Sequence, residues 1–161
     1  MKLIQLGGHR YKNKPVRGYT MVDDEDFERV NVFEWHLNDK GYAVRRPHHP
    51  KKTIRLHRFI MNPTSRQQID HVDGNKLNNQ KYNLRLCNNA ENMRNRGKYR
   101  RNQSGYKGVW WHTQIGRWAA NLRLNGKTVH LGIFDNKKEA AKAYNQAAIK
   151  YFGAFANLNV L

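Results

Sequence analysis

Ile69-Asp70-His71-Val72-Asp73-Gly74-Asn75-Lys76-Leu77-Asn78-Asn79 begins as a strand and continues as a long polar loop around Gly74. A short strand follows at Leu84 to Cys87, and then a short helix that Asn88 or Asn89 can cap, with Glu91 in its first turn. The local order is strand, loop, strand, helix. Just upstream, Thr53 to Met61 is apolar and fits a strand or a helix, and Asn62-Pro63 ends it.

Further upstream, Asp23-Asp24-Glu25-Asp26-Phe27-Glu28-Arg29-Val30 gathers acids where a helix would start, at its positive dipole end. Capping and solvation explain this cluster better than metal binding does. Phe33, Trp35 and Leu37 alternate, Asp39-Lys40-Gly41 turns the chain, and Tyr42 and Val44 alternate again, which is a hairpin pattern. Pro47-His48-His49-Pro50 reads as a turn or loop, since paired histidines hold zinc only with further ligands nearby.

The chain has 161 residues, enough for one domain or two very small ones. Lys+Arg number 30 against 12 Asp+Glu, a formal net charge of +18. Such an excess concentrates a polyanion and makes its binding salt-dependent, so the expected partner is nucleic acid. An anionic membrane is disfavoured, because no long apolar run or basic amphipathic helix is evident. Cys87 is the single cysteine, which excludes an intrachain disulfide and a cysteine-based zinc cluster. It is expected to be a packed residue at a strand end, in a reducing compartment. The opening Met1 to Gly8 is too short an apolar stretch for a signal peptide.

Asp70, His71 and the amides around them can be read as phosphodiester chemistry. Water must lose a proton as it attacks phosphorus, and the leaving 3′ oxygen needs its charge stabilised. His71 can accept the proton near neutral pH, and Asp70 offers a hard oxygen for Mg²⁺ or a similar ion. Neighbours on a regular strand point to opposite faces, so both can serve only if the strand ends or bends there, as Asp73-Gly74 allows. Asn92, on the short helix, can present an amide oxygen as a second ligand. One carboxylate and one amide make a weak site, filled mainly when DNA brings its phosphate. So few acids argue against a two-metal nuclease. On spacing alone, the same residues also fit a calcium-type loop or a plain Asx-rich turn.

Leu56-His57-Arg58, the 69–79 stretch, Asn83-Leu84-Arg85 and Glu91-Asn92 together resemble the HNH endonuclease family, closest to its phage and intron homing type, over about residues 54 to 96. The resemblance implies a ββα-metal fold with one divalent ion, Mg²⁺ first and Mn²⁺ as the alternative. It implies Asp70 and Asn92 as metal ligands, His71 as general base, and Asn83 as the residue that holds the loop and so orients the histidine. His57 matches a recurrent His-Arg pair, with packing beneath the site as its expected role, while Arg58 is placed to touch phosphate. Zinc-braced relatives use CxxC pairs, which this chain lacks. The products implied are a 5′-phosphate and a 3′-hydroxyl.

Between Arg94 and Gly105 the periodicity stops, and Arg94, Arg96, Lys98, Arg100 and Arg101 accumulate. A solvated connector is one reading; a basic arm lying along DNA is preferred, because it would join two DNA-directed modules. Tyr106 to Trp111, Arg117 to Leu124 and Lys127 to Phe134 then read as three strands, with Asn125-Gly126 as a hairpin turn. Asn136-Lys137-Lys138-Glu139 forms a capping box, Ala140, Ala143, Tyr144, Ala147, Ala148 and Tyr151 recur at helical spacing, and Gly153 stops the helix.

From Ser104 to about Asn159 this pattern resembles the AP2 DNA-binding domain. That family lays a three-stranded sheet in the major groove, which a β-ribbon fits. By position the DNA face would hold Lys107, Trp110, His112, Gln114, Arg117, Asn121, Arg123, Thr128 and His130. Trp110, His112, Gln114, Thr128 and His130 depart from the plant transcription-factor pattern, so the plant target sequence is not carried over. Val109, Trp118, Ala120, Leu122, Leu131, Phe134 and Tyr144 are better read as core.

The fold class expected is therefore α+β: a ββα-metal nuclease module followed by a three-stranded antiparallel sheet with one helix. The expected division is 1–96 for the nuclease (hairpin region 1–53, core 54–96), 97–104 for a basic linker and 105–161 for the AP2-like domain. The expected activity is divalent-metal-dependent cleavage or nicking of double-stranded DNA by a monomer, in the cytoplasm of a cell hosting a phage or mobile element. No membrane partner and no small-molecule cofactor are expected. Two other classes remain: a DNA-binding regulator with a relict nuclease, and an RNA-directed protein, which the groove-reading sheet disfavours.

Overall fold

The computed structural model describes residues 1–7, 15–49, 52–95, 97 and 102–161, and by internal contacts the chain divides into two units, Met1–Asn88 and Asn89–Leu161. In the first unit, β1 (Lys2–Leu6) pairs antiparallel with β2 (Gly18–Val22), from Lys2 opposite Val22 to Leu6 opposite Gly18. No short-range sequence signal marks this hairpin, because the connection between its strands is too long for a two-residue turn signature. Helix α1 (Asp24–Asn31) follows, with Asp24, Glu25 and Asp26 in its first turn.

Strands β3 (His36–Leu37), β4 (Ala43–Arg45) and β5 (Ile54–Arg55) form a small antiparallel sheet in the order β3-β4-β5. The ambiguous 53–61 run is both things in turn: β5 passes directly into α2 (Leu56–Met61). Asn62 closes that helix in the left-handed region at φ 42°, where asparagine is tolerated. Then β6 (Gln68–His71) pairs antiparallel with β7 (Leu84–Cys87), and a 3₁₀ turn at Lys81–Asn83 precedes β7. Cys87 is buried at the end of β7, as its position in the sequence implies.

One core joins these pieces: Ile4, Leu6, Val22, Val30, Trp35, Ala43, Leu56, Ile60, Ile69 and Leu84. Trp35 satisfies its buried indole N–H on the Val30 carbonyl at 3.0 Å. Two backbone bonds clamp the polar loop onto the edge of β2: Met21 N–H donates to Leu77 O (2.8 Å) and Asn79 N–H to Met21 O (2.9 Å).

The second unit opens with α3 (Asn89–Asn95). Strands β8 (Val109–His112), β9 (Arg117–Leu124) and β10 (Lys127–Phe134) form an antiparallel sheet with β9 in the centre. At the hairpin turn Asn125 (φ 49°) and Gly126 (φ 81°) both take the positive angles that a type I′ turn needs. Helix α4 (Lys137–Phe152) starts where Asn136 accepts from the Lys138 amide at 2.8 Å and stops at Gly153. Its small residues Ala140, Ala141 and Ala148 let it lie close on Val109, Ala120 and Leu122 of the sheet, with Tyr144 and Phe152 filling the remainder. Trp118, Leu131 and Phe134 pack on the same side, in line with the core expected from the sequence.

Candidate active site and nucleic-acid face

Asp70 and His71 end β6, and both are buried, 8% and 5% exposed. The chain turns at once: Gly74 N–H closes on His71 O at 3.0 Å, and Gly74 adopts φ +73°. The pair thus stands at the very end of β6, with Asp70 opposite Arg85 and His71 opposite Leu84.

Asp70 meets its register partner Arg85 across the ladder. Arg85 Nη2 (2.6 Å) and Nε (3.0 Å) both donate to Asp70 Oδ2, which leaves Oδ1 outside the pair. A carboxylate this buried needs such a counter-charge. Sequence alone assigns Arg85 no role, because the cross-strand register that aims it at Asp70 is a property of the folded sheet.

His71 lies in an aromatic and polar pocket. Its ring centroid is 5.1 Å from that of His57 and 6.1 Å from that of Tyr42, and its Nε2 is 3.4 Å from Asn79 Oδ1. Burial lowers the His71 pKa from the ordinary histidine value, opposed by the Asn79 hydrogen bond and the charges of Asp73 and Asp70. His57 is pushed down to about 3, chiefly by burial and then by repulsion from His71, Arg55 and Arg58. Both rings are therefore neutral at pH 7, His57 under Tyr42 at 5.3 Å.

Asn83, 1% exposed, ties the loop together. Its Nδ2 donates to Asp73 Oδ1 and Asn78 O (2.9 Å each), and its Oδ1 accepts from Asp73 N–H (3.0 Å). The Asn83 carbonyl accepts from Val72 N–H at 2.9 Å, directly after His71. Asp73 is slightly buried, which alone would raise its pKa, but bonds from Asn78, Asn75 and Asn83 hold it lower. Arg58 turns its guanidinium onto the Gln67 and Thr64 carbonyls (3.0 and 3.4 Å), so it braces the loop before β6.

Among the described residues no group of three or more His, Cys, Asp or Glu gathers as a metal cluster. The donor at Asp70 is one carboxylate, with a guanidinium on one of its oxygens. That suits a hard cation that keeps most of its water, such as Mg²⁺, and does not suit zinc. Asn92 lies on α3, in the second unit.

In that unit, Trp110, His112, Arg117, Asn121, Arg123, Thr128 and His130 sit on β8, β9 and β10, and Gln114 on the exposed β8–β9 turn. Trp110 stacks on His112 with centroids 5.0 Å apart. Asn121 lies between Trp110 Nε1 (3.2 Å) and His130 Nδ1 (3.0 Å). An indole can only donate, so the amide oxygen faces Trp110 and the amide nitrogen faces His130. Arg123, Thr128 and His130 are exposed. Arg117 pairs with Asp135, and Lys107 is half-buried, its Nζ donating to Arg94 O at 2.6 Å. Burial lowers Lys107 to a pKa of about 8. The Arg94 guanidinium lies 5.2 Å from the Phe152 ring centroid. Arg96, Lys98, Arg100 and Arg101 lie outside the described residues.

Two family models match the chain: one described as HNH endonuclease over residues 63–94, and one described as AP2 domain over residues 104–154. An uncharacterized HNH endonuclease of Acanthamoeba polyphaga mimivirus is 31% identical over 147 residues, 88% of this chain and 74% of the relative. The rice protein APETALA2-like protein 2 (Oryza sativa subsp. japonica) is 43% identical over 60 residues, covering 37% of this chain and 14% of the relative. The Arabidopsis thaliana AP2-like ethylene-responsive transcription factor ANT is 46% identical over 63 residues, 38% of this chain and 11% of the relative. The likeness to the viral protein spans most of both chains, whereas the plant proteins match 37% and 38% of this chain and only 14% and 11% of their own length.

Proposed function

The chain belongs to the HNH endonuclease family, and from that premise we propose that it is a homing-type, divalent-metal-dependent endonuclease that cuts double-stranded DNA, directed by its AP2 domain. The observation that carries this reading is the buried Asp70-His71 pair at the end of β6, with its loop tied by Asn83. Water bonds to phosphorus and gives its proton to His71, a neutral base at pH 7. The bond from phosphorus to O3′ breaks, and the leaving oxygen takes a proton from solvent, which gives a 5′-phosphate and a 3′-hydroxyl. Tyr42 and His57 wall the imidazole and limit its hydration.

In this proposal Asp70 is the protein's anionic metal ligand and Asn92 would be the second. Mg²⁺, or Mn²⁺ in its place, would supply charge stabilisation for the leaving oxygen. The second unit would supply most of the choice of site, through Trp110, His112, Gln114, Arg117, Asn121, Arg123, Thr128 and His130, with Lys107, Arg58, Arg94, Arg96, Lys98, Arg100 and Arg101 on phosphate or as support. A monomer would nick one strand per binding event. Incubation of supercoiled plasmid with the full chain, with Mg²⁺ or with EDTA, tests this. Open circles should form only with the metal. Tight binding without metal-dependent nicking would make the chain a DNA-binding protein with a relict nuclease.

A further inference from the structure

We infer that Asn79 and Thr20 act as a positioning relay that holds His71 as its Nε2–H tautomer and so leaves the proton-accepting lone pair on Nδ1. The inference rests on the reading of His71 as general base and specifies which of its nitrogens does the work.

Donor and acceptor chemistry alone fixes the relay. A backbone carbonyl cannot donate, so the Thr20 hydroxyl proton goes to Leu77 O, 2.7 Å away. Thr20 Oγ1 can then only accept, and its partner at 2.7 Å is Asn79 Nδ2. The same amide nitrogen reaches a second pure acceptor, Lys76 O, at 3.4 Å. Both contacts fix which end of the Asn79 amide is nitrogen, so Oδ1 is the atom that faces His71 Nε2 at 3.4 Å. An amide oxygen has no proton to give. The single N–H of a neutral imidazole therefore belongs on Nε2.

The relay is shielded and anchored. Thr20 and Asn79 are both 0% exposed, so water does not replace a lost partner. The backbone bonds between Met21 and residues 77 and 79 hold β2 and the loop in register. A flipped Asn79 amide would turn its oxygen toward the Thr20 lone pair and the Lys76 carbonyl, facing acceptor to acceptor. The N-terminal hairpin, which carries no candidate chemical group of its own, thereby gains a role: β2 sets the protonation pattern of a histidine 51 positions further along the chain.

Long-range ¹H–¹⁵N correlation spectra of the His71 ring, recorded on the full chain where the imidazole is neutral, read the tautomer directly. The parent should show Nε2–H. Thr20→Val and Asn79→Leu should shift the ring toward a mixture of tautomers, with a loss of metal-dependent nicking turnover on the order of 10²-fold at unchanged DNA affinity. Thr20→Ser keeps the hydroxyl and should recover the parental spectrum. An Nδ1–H parent, or an unchanged tautomer in both disrupting variants, would overturn the relay. The parent spectrum decides the tautomer even where a variant fails to fold. A relay-dependent Nε2–H in a protein that never nicks would uphold the tautomer and sink the nuclease reading instead.

Discussion

Single residues around β6 hold charge where solvent is scarce. Arg85 places two N–H groups on one oxygen of the buried Asp70 side chain. Removal of that fork strands a nearly buried anion, so Arg85→Met should lower unfolding stability by about 2–4 kcal/mol, measured by urea titration. An unchanged midpoint would refute the pairing. Beside it, His57 is a base whose folded pKa, about 3, lies below the ordinary histidine value. The unfolded chain therefore binds the extra proton first as pH falls. Stability from neutral His57 is fully present above about pH 6.5 and is lost on acidification toward the folded value. The slope it adds is at most about 1.4 kcal/mol per pH unit. His57→Gln should flatten stability against pH across that window; an unaltered profile would show that burial does not control this group.

Among the elements, the β9–β10 hairpin and α4 are legible in the sequence itself, because Asn125-Gly126, the Asn136 cap and the alanine spacing are local signals. Their energetics centre on close approach. Gly108 takes φ +75°, and a Cβ there would fall on the Tyr144 ring and 2.6 Å from Asn121 O. Gly108→Ala should therefore unfold the second unit cooperatively, seen as loss of near-ultraviolet dichroism from Trp110, Trp111 and Trp118, while Gly116→Ala, where a Cβ meets nothing within 4 Å, should cost only about 1 kcal/mol for its positive φ. Equal effects of the two would contradict the packing.

The strand, loop and strand of 68–87 are equally readable, because Asp70, His71 and Asn83 sit in one contiguous motif. What cannot be read there depends on partners distant in sequence. Arg85 acquires its role only through cross-strand register, and Asn79 only through β2, whose pairing with β1 leaves no short-range mark. Arg58 reads as a phosphate contact in sequence, yet its fork closes on loop carbonyls, because α2 delivers it over residues 64–67.

At the scale of the whole molecule, a net charge of +18 dominates encounter with a polyanion. Affinity for duplex DNA should fall linearly in a plot of log K against log salt, by about 0.9 in slope for each phosphate neutralised. Against that background, Arg123 on β9 is exposed and lies in register with Thr128 of β10. Arg123→Ala should cost about 1–3 kcal/mol of discrimination between target and random duplex; an unchanged footprint would remove it from the reading face. In the proposed division of labour the charge attracts, the sheet of the second unit selects, and His71 cuts.

That last assignment is open to one direct measurement: conversion of supercoiled plasmid to open circles with Mg²⁺ by the full chain and by His71→Ala, at protein concentrations matched for DNA occupancy by mobility shift. If His71 is the general base, the parent nicks and the variant loses on the order of 10²-fold or more in turnover while it binds as well. Equal nicking by the two proteins would contradict the assignment.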